Sequence, residues 1–139
     1  MSAQAVQEPT FPAPAVGASI ASLRQLVLTY WDWRLANFPE LATQVGRTEF
    51  NDRWRDWSKA ARDRQRAARK EFLQQLIYIG TGNLTNADRL SEHLLEWELK
   101  NALETEDYNN LLRVSQQDGA HTNVFTAINQ MPARTVKDY

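Results

Sequence analysis

The chain has 139 residues, of which 42% are hydrophobic and 24% are charged, with a formal net charge of −1. This length allows one domain with a modest core, and the composition is ordinary for a globular protein. A nearly neutral chain has no bulk attraction to nucleic acid or anionic lipid, so neither is predicted as a partner. The absence of cysteine excludes disulfides and thiolate metal sites, and no run approaches the ~20 apolar residues that a membrane-spanning helix needs.

The order of helical and irregular segments predicts the architecture. Residues 1–17 contain prolines and no helical or strand period, which predicts a flexible leader. Residues 18–139 are predicted to form one all-α domain, in which an N-terminal helix precedes a helical hairpin. The end of the chain, discussed below, suggests that this domain is truncated.

The first helix is expected from about Ser19, as N-cap, to about Asn37, because apolar side chains recur at steps of three and four. Pro39 ends this helix and begins a short second one, Glu40–Val45, for which Gly46 supplies a left-handed cap. The predicted buried stripe of the first helix is Ile20, Leu23, Val27, Tyr30 and Arg34, widened by Leu26, Trp31 and Trp33.

The stretch Asn51–Ser58 has the most unusual composition in the chain, with two tryptophans, two arginines and two aspartates in eight residues. So many polar and aromatic side chains in a short loop need partners. We therefore expect an arginine–aspartate ion pair within the loop and a tryptophan that covers the first helix. The candidate substrate-cleft or structural residues are Arg53, Trp54, Asp56 and Trp57, together with His121 further along the chain.

Two long helices are predicted to form an antiparallel hairpin. Ser58 caps the first, which reaches Ile79, and Thr85 with Asp88 forms a capping box for the second, Asn86–Glu106. The short glycine-containing loop between them favours the hairpin. The contacts expected near its closed end join Phe72, Leu76, Leu90 and Leu94.

Opposite charges are segregated on the two helices. Arg47–Lys70 has nine Lys or Arg against four Asp or Glu, whereas Glu71–Asp107 has eight Asp or Glu against two Lys or Arg. Exposed ion pairs contribute only about 0.2–1 kcal/mol each, so the pattern helps orientation more than stability.

The final third of the chain is less regular. A short helix is predicted over His121–Met131, and Thr135–Tyr139 has the form of a capping box with no room for a helix after it. We therefore expect the chain to be a fragment. The missing helix would leave apolar surface uncovered around Leu95, Leu99 or Leu103.

No complete active site can be assembled from the residue pattern. A helical zinc site needs histidines about one turn apart with a glutamate, but His93 and His121 lie 28 positions apart. His93 is interpreted as a surface or helix-pairing residue, and Ser58 as a cap rather than a nucleophile. The sequence thus predicts no catalytic residue, no metal ligand and no cofactor in this chain.

Several short motifs in the expected order resemble the bacterial domain-of-unknown-function family 885. The resemblance spans roughly Leu23 to Tyr139. The residues that carry it are Phe38-Pro39, Ala42-Thr43, Gly46, Asp52-Arg53, Asp56, Ser58, Leu84-Thr85-Asn86-Ala87-Asp88-Arg89-Leu90, Gly119, His121, Met131-Pro132, Thr135 and Asp138-Tyr139.

The resemblance implies a function that this chain does not complete. Members of the family are much longer, largely helical, and often exported or lipid-anchored, which implies a bacterial and periplasmic or exported protein. They resemble zinc metallopeptidases, with an H-E-x-x-x-G-H-H type motif in the C-terminal half. The chain would then be a non-catalytic cleft wall or scaffold whose partner is that C-terminal region, with zinc in the full-length protein and a peptide-like substrate.

A second hypothesis is a self-contained helical binding module for phosphate or single-stranded nucleic acid. The acidic helix of the hairpin would neutralise such a surface, which makes this the alternative rather than the first choice. Its basic, aromatic-bearing patch would consist of Arg55, Arg62, Arg66, Arg69, Trp54 and Trp57.

Overall fold

The computed structural model describes residues 20–80, 82, 84–106 and 120–130. Within these ranges the regular structure is α-helix with one 3₁₀ turn, and none of the described residues is in a strand. The predicted all-α class is therefore confirmed. The predicted leader, residues 1–17, and the predicted helix start at Thr135–Tyr139 lie outside the described residues.

The observed helices lie close to their predicted positions. Thr48–Phe50 also forms a 3₁₀ turn, which was not predicted. The helices are α1 (Ile20–Asn37), α2 (Pro39–Gln44), α3 (Lys59–Ile79), α4 (Asn86–Thr105) and α5 (Ala120–Gln130).

Gly46 ends α2 in the left-handed conformation that the sequence predicted, with φ +82°. Its N–H donates to the carbonyl of Thr43 at 3.1 Å, and the N–H of Arg47 donates to the carbonyl of Ala42 at 2.8 Å. This pair of bonds is a Schellman cap, which satisfies carbonyls that the helix itself leaves without partners. A side chain at position 46 would be strained because L-residues rarely adopt this φ.

Side-chain caps begin both long helices. The Ser58 hydroxyl accepts a hydrogen bond from the N–H of Ala61 at 3.1 Å. The Thr85 hydroxyl accepts one from the N–H of Asp88 at 3.2 Å and donates to the Asp88 carboxylate at 2.5 Å. Both caps were predicted, because serine and threonine satisfy the N–H groups of a first helical turn.

The chain divides into two compact units. The first, here called the hairpin unit, comprises residues 1–33 and 57–108; the second, the loop unit, comprises residues 34–56 and 109–139. The described part of the loop unit contains the end of α1, then α2, the 3₁₀ turn, most of the tryptophan-rich loop (Asn51–Ser58) and α5. The prediction of one domain over residues 18–139 stays a prediction.

Helices α3 and α4 pack antiparallel in the hairpin unit, as predicted. Arg66, near the start of α3, donates to the carbonyl of Leu103, near the end of α4, at 3.2 Å. The α1 part of this unit runs parallel to α4: Arg24 lies 3.4 Å from Asp88, and the Tyr30 hydroxyl donates to Glu98 at 2.8 Å. Three helical segments thus surround one core.

Phe72 of α3 lies at the centre of that core and is fully buried. Its ring meets the Tyr30 ring edge-on, with centroids 5.2 Å apart, and lies 5.4 Å from the Trp33 ring. Trp31 was predicted in the same stripe of α1, but it is 37% exposed because it lies about 100° around the helix from Tyr30 and about 160° from Trp33. The core comprises Leu23, Leu26, Tyr30, Trp33, Ala68, Phe72, Leu76, Ile79, Leu84, Leu95 and Leu99.

Helix α4 presents a different face to the core from the one predicted. Leu90 and Leu94, expected to contact Phe72, are 61% and 57% exposed. Of the three residues around which uncovered surface was expected, Leu95 and Leu99 are buried and Leu103 is half-buried. Both predictions were wrong for one reason. Asp88 pairs with Arg24 of α1, and a helix places residues seven and eleven positions further on the same face, so Leu95 and Leu99 turn inward.

Replacing Phe72 with alanine should destabilise the hairpin unit by about 3–5 kcal/mol, because it removes a buried ring and leaves a cavity between α1 and α3. Urea unfolding followed by circular dichroism would measure the change in free energy of unfolding. Ile77→Ala is the matched control, since Ile77 lies on the same helix but is largely exposed. It should change stability by no more than about 0.5 kcal/mol, and equal losses in the two variants would contradict the assigned core.

Asp88 makes the stability of the α4 start dependent on pH. The Thr85 hydroxyl, and then Arg24, hold the pKa of Asp88 below its ordinary value of 3.8. A carboxyl group whose pKa is lower in the folded state stabilises the fold at pH values above its unfolded-state pKa. This contribution is lost as the pH falls through the folded-state pKa. Asp88→Asn should therefore lower the melting temperature at neutral pH, and its difference from the wild type should narrow below about pH 3.8. Glu104→Gln, an exposed carboxylate on the same helix, is the control; a pH-independent Asp88→Asn difference would refute the linkage.

Candidate functional site

The tryptophan-rich loop is fastened to α2 within the loop unit. The Thr43 hydroxyl of α2 donates to the side-chain oxygen of Asn51 at 2.8 Å. Further along, the backbone N–H of Arg55 donates to the Glu40 carboxylate at 3.3 Å. These two bonds hold the loop at its start and near its middle, so polar side chains of the short helix fix the backbone of the first part of the loop.

The loop arginines pair with neighbours in the same unit. Arg53 Nε lies 2.8 Å from Asp52 Oδ1, which confirms the predicted arginine–aspartate pair. That hydrogen bond lowers the pKa of Asp52 and raises the pKa of Arg53. The Arg53 guanidinium also lies 5.7 Å from the centroid of the Phe50 ring, and Arg55 lies 4.2 Å from that of Phe38. Both cations therefore stack on aromatic faces, an arrangement that stabilises the loop itself.

The two tryptophans of the loop are half exposed. Trp54 is 49% exposed and belongs to the loop unit, whereas Trp57 is 45% exposed and belongs to the hairpin unit. Neither is the fully buried anchor that a structural loop would favour. The expectation that one of them covers the first helix stays a prediction.

The other two candidate residues belong to the loop unit. Asp56 is exposed near the end of the loop. His121 lies in the first turn of α5, as predicted, and its side chain lies outside the described atoms. A substrate-cleft role for Arg53, Trp54, Asp56, Trp57 and His121 stays a prediction.

The basic face of α3 is partly used to hold α4. Arg69 is buried, forms an ion pair with Glu106, and places its guanidinium 5.5 Å from the centroid of the Trp33 ring. Arg66 reaches the same carboxylate at 3.4 Å. The predicted complementarity between the basic and acidic helices therefore has a definite form, in which one glutamate receives two arginines.

A group of side chains that could hold a metal ion lies on α4 and was missed by the sequence analysis. Glu92, His93 and Glu96 each bring one candidate ligand atom within 4.8 Å of the others. The search for two histidines one turn apart could not find it. The available signal was a Glu-His pair followed by a second glutamate one turn after the first.

These features define an all-α protein in which the loop arginines and the helix caps have structural partners. Among the described residues, no helix is long and apolar enough to cross a membrane. The serine expected to act as a cap, Ser58, does so, and its hydroxyl accepts from the backbone of α3.

The family model described as "Bacterial protein of unknown function (DUF885)" matches residues 39–139, and the chain belongs to this family. The match covers the capped helix α2, the loop and the hairpin helices. It begins at Pro39, so the part of the proposed resemblance between Leu23 and Phe38 lies before it. No curated protein and no solved structure matches the chain.

Trp54→Ala and Trp57→Ala should each lower the free energy of unfolding by about 2 kcal/mol, roughly half the cost of losing a fully buried tryptophan, because about half of each side chain is exposed. Thermal and urea unfolding would measure this. Trp97→Ala, at a more exposed tryptophan of α4, is the control and should cost less. If both loop variants unfold like the wild type but lose affinity for peptides, the loop is a binding surface rather than a structural element.

Proposed function

We propose that this chain is a non-catalytic helical region of a zinc-dependent peptidase or hydrolase, in which it acts as a scaffold or as one wall of the substrate cleft. Membership of the bacterial family supports the proposal in its coarse form. The observation that carries it further is an uncovered apolar face on α4, here called the outer face of α4 and formed by Leu90, Leu94 and Trp97.

The outer face of α4 has the properties of a packing surface. Leu90, Leu94 and Trp97 are 61%, 57% and 66% exposed, and their spacing of four and three residues places them on one side of the helix. The opposite side already contributes Leu95 and Leu99 to the core of the hairpin unit. A helix that is apolar on two sides is typical of a helix packed between neighbours, and a continuous exposed apolar patch usually marks an interaction site.

The partner that we propose for this face is the C-terminal catalytic region implied by the family resemblance. The contact would bury three large apolar side chains, each contributing about 1.5–3 kcal/mol when fully buried, and this burial would hold that region against α4. The hairpin unit would then support the catalytic region, and the loop unit would contribute Arg53, Trp54 or Asp56 to contacts with a peptide-like substrate.

The residues of this chain do not fit the zinc site that the resemblance implies. That motif needs histidines about one turn apart beside a glutamate, and His93 and His121 are 28 positions apart. We therefore assign no step of hydrolysis to this chain. In the proposed protein, the C-terminal region supplies the zinc ligands and the general base.

The alternative of a binding module with a basic patch is weakened by the ion pairs of α3. Arg66 and Arg69 share Glu106, and Arg69 is buried beneath Trp33. Arg55 stacks on Phe38. Three of the four arginines of that patch thus already have intramolecular partners, and an external phosphate would have to compete with them.

Association with the C-terminal region tests the proposal. The separately expressed C-terminal part of the same polypeptide should bind the wild-type chain, and Leu94→Asp with Trp97→Asp should abolish binding because buried carboxylates would have no partners. Calorimetric titration would measure it. Ile77→Asp is the matched control, since Ile77 is an equally exposed apolar residue on α3.

The chain alone should show no chelator-sensitive peptide hydrolysis when zinc is added. Zinc-dependent hydrolysis by the chain alone would contradict the non-catalytic role. Unchanged binding of the Leu94→Asp, Trp97→Asp variant would contradict the assigned packing surface.

A further inference from the structure

Three side chains of the types that bind metal ions converge on one helix of the hairpin unit. Glu92 and Glu96 are four residues apart in α4, which places them on the same face, and His93 follows the first glutamate. The candidate ligand atoms of all three lie within 4.8 Å of one another. An imidazole nitrogen and two carboxylates are therefore close enough to bind one ion after small rotations of their side chains.

The burial of Glu92 also points to a bound ion. The residue is 8% exposed, and its Oε2 is buried without a hydrogen-bond donor among the residues that the structure describes. The nearest described basic nitrogen is His93 Nδ1, at 3.6 Å, which is too far for a hydrogen bond. A buried carboxylate oxygen without a donor or cation is costly, so this atom indicates a missing positively charged ligand.

The charges along the same face of α4 are balanced except at Glu92. Asp88, one turn before it, has Arg24 at 3.4 Å, and Glu96, one turn after it, has Lys100 Nζ at 2.6 Å. Within the described part of the chain, Glu92 stands between these two pairs with His93 beside it. Among the described residues, Glu92 is the buried carboxylate on this face that has no Lys or Arg partner. A bound cation would balance its charge.

The distance between the His93 nitrogen and the Glu92 oxygen also suits a metal ion. Two ligands about 2.1 Å from a tetrahedral metal are about 3.4 Å apart, and the observed separation of Nδ1 and Oε2 is 3.6 Å. A gap that is too wide for a hydrogen bond is thus close to the width that a coordinated ion requires.

We propose that Glu92, His93 and Glu96 form a binding site for a divalent first-row transition metal ion of the Zn²⁺ type. An imidazole ligand favours such metals over Mg²⁺ and Ca²⁺, which prefer oxygen ligands throughout. Three protein ligands leave a coordination position for water, and the exposed side chain of His93 places the site at the surface. Lys100 binds one carboxylate oxygen of Glu96, and the other oxygen is available to the metal.

This site does not rest on the proposed function. It uses residues of α4 rather than the motif of the family resemblance, whose ligands belong to the C-terminal half. It implies metal binding by this chain without implying hydrolysis. Failure of the metal-binding test would leave the scaffold proposal standing, and failure of the association test would leave the metal site standing.

Zinc titration of the untagged 139-residue chain, in competition with a fluorescent indicator, tests the proposal. The wild type should bind a single Zn²⁺ ion, and Zn²⁺ should raise its melting temperature because the ion binds the folded state. His93→Gln and Glu96→Gln should each lower the affinity by at least about tenfold, since even residues that merely support a metal ligand contribute that much. Glu104→Gln and His121→Gln are matched controls and should bind like the wild type.

Glu92→Gln distinguishes a metal ligand from a purely structural carboxylate, because the two roles predict different effects on the stability of the metal-free protein. It should abolish the zinc-dependent rise in melting temperature while leaving the metal-free protein at least as stable, because it removes a buried charge without a described donor. The proposal is overturned if Zn²⁺ binds equally well to the wild type and to His93→Gln, or if none binds to the wild type. Loss of stability in metal-free Glu92→Gln would assign the carboxylate an internal partner and also overturn it.

Discussion

The contact of Phe72 with Tyr30 and Trp33 is the interaction on which the hairpin unit depends. The three rings join α3 to α1 with centroid separations of 5.2 and 5.4 Å from Phe72, in edge-on and tilted geometries that suit aromatic quadrupoles. Leu76 and Leu99 complete the buried layer around them. Because α1 contributes two of the three rings, the antiparallel pair of α3 and α4 gains its core only when the first helix packs against it.

Ion pairs then orient helices that the apolar core has brought together. Arg69 and Arg66 meet at Glu106 at one end of α4, and Arg24 meets Asp88 at the other. Each pair joins a different neighbouring helix to α4, so together they determine which face of α4 turns inward. Two consequences follow on the remaining faces: the apolar side chains of the outer face of α4 stay exposed, and Glu92 is buried next to His93.

The scaffold proposal and the metal site therefore derive from the same orientation of one helix. The exposed Leu90, Leu94 and Trp97 provide a surface for another part of the polypeptide. Glu92, His93 and Glu96 form a separate cluster of two carboxylates and one imidazole on the same helix. The loop unit has a different role: its arginines stabilise the loop through Asp52, Phe50 and Phe38, and its Trp54 is left half exposed.

The sequence by itself determined where the helices begin and end, because capping is local. Ser58, Thr85, Pro39 and Gly46 act within one turn of their own positions, and each stands where it was expected. The Arg53–Asp52 pair was predictable for the same reason, since its partners are adjacent. Only the tertiary structure decided which apolar stripe of α4 is buried. The two stripes have similar hydrophobicity, so the sequence alone does not distinguish them. The contacts of Asp88, Tyr30 and Glu106 with residues distant in the sequence determine which stripe faces the core. The convergence of Glu92, His93 and Glu96 was likewise decided there, because a carboxylate becomes buried, and so in need of a cation, only when other helices pack around it.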